Sequence, residues 1–282
     1  MDGVLVIDKP AGTTSHDVVD RVREVFGTRK VGHGGTLDPD ATGVLIVGIG
    51  RATRLLAYAQ AGPKRYLAKA RFGITTSTQD ASGEVLQRRP AHLSRELIEQ
   101  ALASFRGEID QVPPMVSAVR MGGERLYEKA RRGEEVERRP RRVTIHSFEL
   151  VDFADEDRAT FDVACSSGTY VRTLIADLGE ALGCGAHLER LRRTRAGGFT
   201  DADAVALDAL EVDALRPLVD AVGDLPRLEV GATDAERVSH GQALDAANAP
   251  VGGRLVAVVR NDDLLAVYAR EGERLVADRV LV

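Results

Sequence analysis

Apolar positions along the chain follow two spacings. The unbroken run Val4–Asp8 (VLVID) reads as a short buried strand, and Lys9–Gly12 (KPAG) as the turn that ends it. In SHDVVDRVREVFG, residues Val18, Val19, Val22 and Phe26 recur at helical spacing, with Ser15 as the expected cap and Gly27 as the stop. A second apolar run, Val44–Ile49, reads as a strand, and Arg51–Ala59 as a short helix. Tyr66–Phe72 (YLAKARF) alternates, which predicts a half-exposed strand, and the polar TTSTQDASGE that follows predicts a loop. Leu93–Gly107 is amphipathic, with Ser94 as cap and Gly107 as stop. VTIHSFELVDF and ATFDVACS alternate as a hairpin. Thr169–Gly183 is the clearest helix, with Val171, Leu174, Ile175, Leu178 and Leu182 on one face. HLERLRRTRAGGF reads as another strand and Ala209–Val222 as a helix. After these, LPRLEV, LVAVVR, LLAVYAR and RLVADRVLV form a compact set of β-like runs, which places a domain boundary near Asp224.

One segment breaks both spacings. Arg120–Arg142 holds nine Lys and Arg against five Glu, with one aromatic, Tyr127. A short helix is expected around Glu124–Arg132, and a mobile basic arm over the rest.

Charge changes the picture more than bulk composition does. The 282 residues are 44% hydrophobic and 29% charged, as in ordinary globular chains, with a net charge of −5. That balance is unevenly spread. Residues 1–200 carry 30 Lys and Arg against 27 Asp and Glu, and residues 201–282 carry 8 against 16. The larger part is therefore basic enough to meet a polyanion, although the whole chain is acidic. No basic leader with an apolar core opens the sequence, and no run reaches the length of a membrane-spanning helix, so a cytoplasmic protein is expected. Cys165 and Cys184 fall in different elements and are read as buried thiols.

Candidate chemistry gathers in Gly32–Leu45, GHGGTLDPDATGVL. Asp38 precedes a proline, so a turn-capping carboxylate is one reading and a reactive carboxylate another. A phosphate cradle lacks the Lys-Ser/Thr of a P-loop. Asp38 and Asp40 as a glycosidase pair are disfavoured, since a turn would separate them. His33 belongs to no spaced cluster of metal-ligating residues, so no metal site is expected; it is either a hydrogen-bonded turn histidine or a group set against a base. In CSSGTYVR, Tyr170 and Arg172 sit where the strong helix begins and diverge, so that one faces the core and one a cleft. Tyr66 taken alone is a packed edge aromatic, and the arm taken alone is a solvated charged segment.

Taken in order, IDKPAGTTSH, VGHGGTLDPDATGVL, KRYLAKARFG, TTSTQDASGE, PPMVSAVRMGGERLYEKARRG, CSSGTYVRTLIADLG and HLERLRRTRAGGF resemble the TruB family of bacterial tRNA pseudouridine synthases over nearly the whole chain. LPRLEVGATDAERVSHGQAL resembles the start of that family's small PUA-like domain. The resemblance implies an α+β pseudouridine-synthase fold, with a mixed, mostly antiparallel central sheet flanked by helices. It divides the chain into a catalytic domain, 1–224, carrying the basic insertion at 120–142, and a β-rich PUA-like domain, 225–282. It also implies isomerisation of the uridine at position 55 in the tRNA T arm, with no metal or organic cofactor, no obligate protein partner, no membrane and a monomer.

The resemblance assigns roles residue by residue. Asp38 is the catalytic carboxylate, ionised at neutral pH at its ordinary value, which attacks C1′ or stabilises charge developing on the sugar. Arg172 pairs with Asp38. Tyr66 stacks on the target base, Tyr170 and Leu191 line the uracil pocket, and His33 fills the space left by the flipped base. Lys9 and Asp80 are supports, Lys9 bracing the active-site loop. Arg120, Arg125, Lys129, Arg131, Arg132, Arg141 and Arg142 form the RNA-gripping arm. Two positions depart from the family pattern. Ser167 stands where Lys is frequent, and Asp40 where relatives are commonly apolar. The acidic C-terminal region is expected to add less RNA affinity than the arm. Two other functions compete: an RNA-guided synthase subunit and a non-catalytic tRNA-folding chaperone.

Overall fold

The computed structural model describes residues 1–115, 120–121, 124–125, 132 and 136–282. In chain order the elements are β1 (Gly3–Lys9), α1 (Ser15–Phe26), β2 (Val31–Gly34), β3 (Thr42–Ile49), α2 (Leu56–Ala61), β4 (Lys64–Phe72), β5 (Ile74–Thr76), β6 (Val85–Arg88), α3 (Arg95–Leu102), β7 (Gly107–Gln111), β8 (Arg120–Met121) and β9 (Glu124–Arg125). They continue with β10 (Arg141–Asp155), β11 (Arg158–Cys165), α4 (Val171–Ala181), β12 (Ala186–Ala196), β13 (Phe199–Thr200), β14 (Val205–Ala206), β15 (Arg227–Glu229), α5 (Ala232–Ser239), β16 (Leu244–Asp245), β17 (Leu255–Arg260), β18 (Asp263–Glu271) and β19 (Arg274–Val280). The contacts divide the chain into two compact units. One comprises residues 1–39, 43–62 and 196–282; the other comprises 40–42 and 63–195.

In the first unit β3 pairs antiparallel with β1 and with β2, and β14 runs parallel to β1. The unbroken apolar run of β1 has a structural cause: both of its faces are covered. Leu5 and Ile7 join Val18, Val19 and Val22 of α1. Val4 and Val6 join Val44, Ile46 and Leu55 in a second cluster on the opposite face. That second cluster also takes in Ala257, Val259, Leu264, Val267 and Leu281. The C-terminal strands form a five-stranded sheet in the order β15-β17-β18-β19-β16. Val256 and Val258 of β17 point into this sheet's own core with Val238, Tyr268 and Leu275. The alternate residues Ala257 and Val259 point into the cluster shared with β1 and β3. The segment beyond Asp224 is thus a β-rich body with its own core, and it also completes the core of the N-terminal strands.

The second unit is built on β12, β4, β11, β10 and β7, side by side in that order. β4, β11, β10 and β7 are antiparallel neighbours. Alternation along β4 buries Lys64, Tyr66, Ala68, Ala70 and Phe72 and turns Arg65, Leu67, Lys69 and Arg71 outward. Phe161 packs edge-on to Phe72 and against Phe148. Helix α4 buries Val171, Leu174, Ile175 and Leu178. Gly179 lets it approach β12 closely, for a Cβ there would lie 2.2 Å from the Ala186 nitrogen. Where register is described, only β1–β14 and β15–β17 are parallel, so the α+β class with mostly antiparallel strands holds.

Several local expectations are corrected. The cap of α1 is Thr14, whose hydroxyl accepts from the Asp17 N–H while the Asp17 carboxylate accepts from the Thr14 N–H; Ser15 is the first helical residue and is used elsewhere. Arg51–Ala59 is a 3₁₀ turn followed by α2. TTSTQDASGE does not stay a loop: it begins in β5 and turns toward β6. The helix expected over Ala209–Val222 is two 3₁₀ turns, Val212–Ala214 and Leu218–Val222, because Pro217 has no N–H and keeps Arg216 out of the helical region. Glu124 and Arg125, expected to be helical, form a strand with Arg120 and Met121; the remainder of that expected helix, Arg132 excepted, lies outside the described residues. Cys165 and Cys184 are buried free thiols, and burial pushes the Cys165 thiol up to about 11.

Candidate active site

In the first unit, the turn carrying Asp38 is tethered on both sides. Leu37, before it, is buried and exchanges two hydrogen bonds with Ser15. Its N–H donates to the Ser15 hydroxyl at 3.0 Å, and that hydroxyl donates to the Leu37 carbonyl at 3.1 Å. Pro39, after it, is held by Lys9. The Lys9 ammonium is fully buried and donates to the carbonyls of Pro10 (2.9 Å), Thr13 (2.5 Å) and Pro39 (2.8 Å). A buried ammonium surrounded by carbonyls is costly to desolvate, and it persists only where those carbonyls are fixed in place. Asp38 itself is half-buried, between the two tethers, while Asp40 is exposed. Lys9 was legible in the sequence as a support. Ser15 was not, because a hydroxyl at a helix start reads first as a cap.

His33 lies on β2 opposite Val47, and its carbonyl lies 3.5 Å from the Gln60 side-chain nitrogen. The glycines of GHGG have distinct uses. A Cβ on Gly32 would lie 3.2 Å from Leu56, and one on Gly34 would lie 3.5 Å from Gln60 and from Leu56. Both therefore admit α2 against β2. Gly35 has φ 84° and turns the chain toward Asp38.

In the second unit, Arg172 is buried in the first turn of α4 and donates to Asp80 at 3.3 Å. The other oxygen of Asp80 accepts from the hydroxyls of Thr78 (2.6 Å) and Ser82 (2.6 Å) and from the Ser82 N–H (3.0 Å). The β5–β6 turn is thereby a cradle for one carboxylate, and that carboxylate seats Arg172. Next to it, Thr173 donates to the Gln79 side-chain carbonyl at 2.8 Å, with Gln79 itself at φ 64°. Asp80 bridges Leu188 of β12, which continues to half-buried Leu191. Tyr66 is buried on β4, the strand beside β12. Tyr170 is half-buried and caps α4. Both of its backbone polar groups are taken by buried Gln111: the N–H donates to Oε1 at 2.7 Å, and Nε2 donates to the carbonyl at 3.0 Å. The sequence reading missed Gln111, since nothing local marks a partner 59 residues away.

Of the basic arm, Lys129 and Arg131 lie outside the described residues, and Arg120 and Arg125 are described as strand backbone. Arg132 pairs with Glu124 at 2.8 Å. Arg142, exposed on β10, stands 3.9 Å from Glu108 and 3.6 Å from Asp110 of β7, and Arg141 beside it is exposed. Exposed pairs of this kind contribute about 0–1 kcal/mol, so these cations can be given up to a phosphate. Among the described residues, no three His, Cys, Asp or Glu side chains gather as a metal site, and no helix is long and apolar enough to cross a membrane.

The family model for the N-terminal domain of TruB family pseudouridylate synthases matches residues 23–171, more than half of the chain. The chain belongs to the TruB family. The model for the tRNA pseudouridylate synthase B C-terminal domain matches residues 172–217 of this TruB-family protein. It is 53% identical over 248 residues to tRNA pseudouridine synthase B of Symbiobacterium thermophilum, spanning 86% of this chain and 83% of that protein. It is 48% identical over 277 residues to tRNA pseudouridine synthase B of Thermobifida fusca, spanning 92% and 94%. Among solved structures it resembles a chain of a Cbf5-Nop10-Gar1 complex, with a TM-score of 0.78 and 29% identity over 99% of this chain and 85% of that one. A chain of an H/ACA RNP bound to a substrate RNA containing 2′-deoxyuridine gives a TM-score of 0.76 at 27% identity, again over 99% and 85%. These likenesses place the TruB-family chain in the pseudouridine-synthase fold.

Proposed function

We propose that this protein converts the uridine at position 55 in the T arm of tRNA to pseudouridine, with Asp38 as the carboxylate acting at C1′. Relatives named tRNA pseudouridine synthase B, each matched over more than four-fifths of its length, support tRNA as the substrate. The observation that carries the chemistry is the double tether of the Asp38 turn by Ser15 and Lys9. A turn that only reversed the chain has no use for a buried ammonium, whereas a carboxylate that must meet one carbon does.

In this reading the nucleotide leaves its stack and His33 occupies the gap. A loop base costs least to extract, on the order of a few kcal/mol. The N1–C1′ bond breaks with its electron pair on N1. The uracil turns, C5 bonds to C1′, the C5 proton is lost and N1 gains one, so the product is an isomer of the substrate. Asp38 meets the electron-poor C1′ between these steps, with Arg172 as its counter-charge. Tyr66 stacks on the base, and Tyr170 and Leu191 keep the detached uracil from diffusing away. The cations at 120–142 hold backbone phosphates. The division into a catalytic domain, 1–224, and a PUA-like domain, 225–282, belongs to the same proposal, as do action as a cytoplasmic monomer and without a cofactor.

The test uses the purified protein alone with unmodified tRNA, mapping pseudouridine in the T arm. Modification at position 55 without any guide RNA supports the proposal and rejects the RNA-guided alternative. Loss of product in Asp38→Asn with tRNA binding retained rejects a purely chaperone role. An Asp38→Asn protein that still forms pseudouridine overturns the assignment.

A further inference from the structure

We infer that Gln111 is a positioning residue: it fixes Tyr170 for the reaction and ties it to the base of the basic insertion. This rests on the reading of Tyr170 as a wall of the uracil pocket. Tyr170 is the cap of α4, with extended backbone (φ −98°, ψ 103°) and no side-chain cap bond. Its carbonyl accepts the first helical hydrogen bond from Leu174 at 3.1 Å. The direction of its side chain is therefore set by what holds its N–H and carbonyl, and Gln111 holds both, at 2.7 and 3.0 Å.

Gln111 is also where the chain leaves the sheet toward the insertion at 120–142. It ends β7, and it stands in register with Arg141, where the chain returns on β10. Two residues further on, the Pro113 carbonyl accepts from Arg138 at 3.0 Å and closes the base of the insertion again. The segment that grips RNA and the tyrosine that faces the base are thus joined through one carboxamide. The chemistry of that group is specific. A carboxamide donates with one end and accepts with the other, as the two backbone groups of Tyr170 require. Asn is one methylene short, and an ionised carboxylate would set an acceptor against the Tyr170 carbonyl.

The Gln111→Glu variant separates positioning from bulk packing. Protonated, its O–H replaces the lost donor and its other oxygen still accepts from Tyr170. Its burial raises the pKa of the new carboxyl, which brings this form within an accessible pH range. Single-turnover pseudouridine formation at saturating enzyme is measured for wild type, Gln111→Glu and Gln111→Leu, alongside Kd for tRNA and thermal midpoints. Relative to wild type, Gln111→Glu is expected to fall about 10- to 100-fold near pH 8 and to recover as the pH approaches about 5.5. Gln111→Leu is expected to lose as much at every pH. Kd is expected to stay within about threefold in both, because the phosphate contacts persist. Where Gln111→Leu does not fold, the acid recovery of Gln111→Glu decides. A Gln111→Leu rate equal to wild type, a loss confined to Kd, or a Gln111→Glu profile parallel to wild type overturns the inference while the proposed function stands. A wild type that forms no pseudouridine overturns the proposed function, and this inference with it.

Discussion

Replacing Lys9 with Met removes the charge and the donors from the Asp38 turn while keeping an unbranched side chain of similar length. In the wild type the ammonium satisfies the carbonyls of Pro10, Thr13 and Pro39 at 2.9, 2.5 and 2.8 Å. Hydrogen bonds to a charged group contribute about 1.5–3 kcal/mol each. The cost of burying the ammonium, several kcal/mol, offsets much of that gain. After the substitution the carbonyls are left without this donor, so a net loss of about 2–4 kcal/mol is expected. For a chain of this size that lowers the melting temperature by roughly 5–12 °C. The rate should suffer more than the stability. Pro39 follows Asp38 directly, and a displacement of about 1 Å at a reacting group costs on the order of 100-fold. Calorimetry and single-turnover pseudouridine mapping at a temperature where both proteins are folded measure the two effects separately. A Lys9→Met protein within about 1 kcal/mol of wild type and within threefold of its rate would refute the reasoning that the buried ammonium aims the turn.

Asp80→Asn should leave the β5–β6 turn formed, since Asn still accepts from Thr78 and Ser82, but it removes the carboxylate from Arg172. Asp80 is one-fifth exposed, so a loss of about 2–3 kcal/mol is expected in urea unfolding, with a slower turnover. Tyr58 donates to Asp278, and its phenol is pushed up to about 12, chiefly by burial and then by that carboxylate. Its folded value lies above the unfolded 10.0, so its contribution to stability is complete below pH 10 and is lost as the pH rises through about 12. The thermal midpoint of the wild type should therefore fall more steeply between pH 10 and about 12 than that of Tyr58→Phe, and equal slopes would contradict this. Deleting residues 226–282 exposes Val4, Val6, Val44 and Ile46 by removing Val259, Leu264, Val267 and Leu281. Four such side chains contribute about 6–12 kcal/mol, comparable to the whole stability of a domain. The truncated protein should be insoluble or unfolded by circular dichroism, so the RNA affinity of this region is better tested by charge substitutions on the intact chain.

What spacing alone determined is each element's solvent pattern. The unbroken VLVI run required a strand covered on both faces, and the alternation in YLAKARF put Tyr66 on a buried face. The helical period of Thr169–Gly183 set Arg172 and Tyr170 at one helix start. The ordered motifs carried the family, and with it the candidate residues. Failures of the local reading came where two rules competed. Ser15 could cap a helix or serve a distant loop, and Thr14 took the cap. Apolar spacing near residue 215 suggested a helix that Pro217 does not allow.

Partners are a different matter. That Lys9 holds Pro39, that Asp80 seats Arg172, and that Gln111 clamps Tyr170 are pairings across 30, 92 and 59 residues. Periodicity tells a side chain which way it faces, but it carries no information about what stands opposite. The same holds for β17, whose apolar run LVAVVR does not say what covers each face. The fold covers both, and so the C-terminal strands complete the core of the N-terminal ones. The sequence determined the fold class and, through the family resemblance, a candidate carboxylate. Only tertiary structure decided how the turn carrying it is held, because that is set by hydrogen bonds between groups that meet only when the chain has closed on itself.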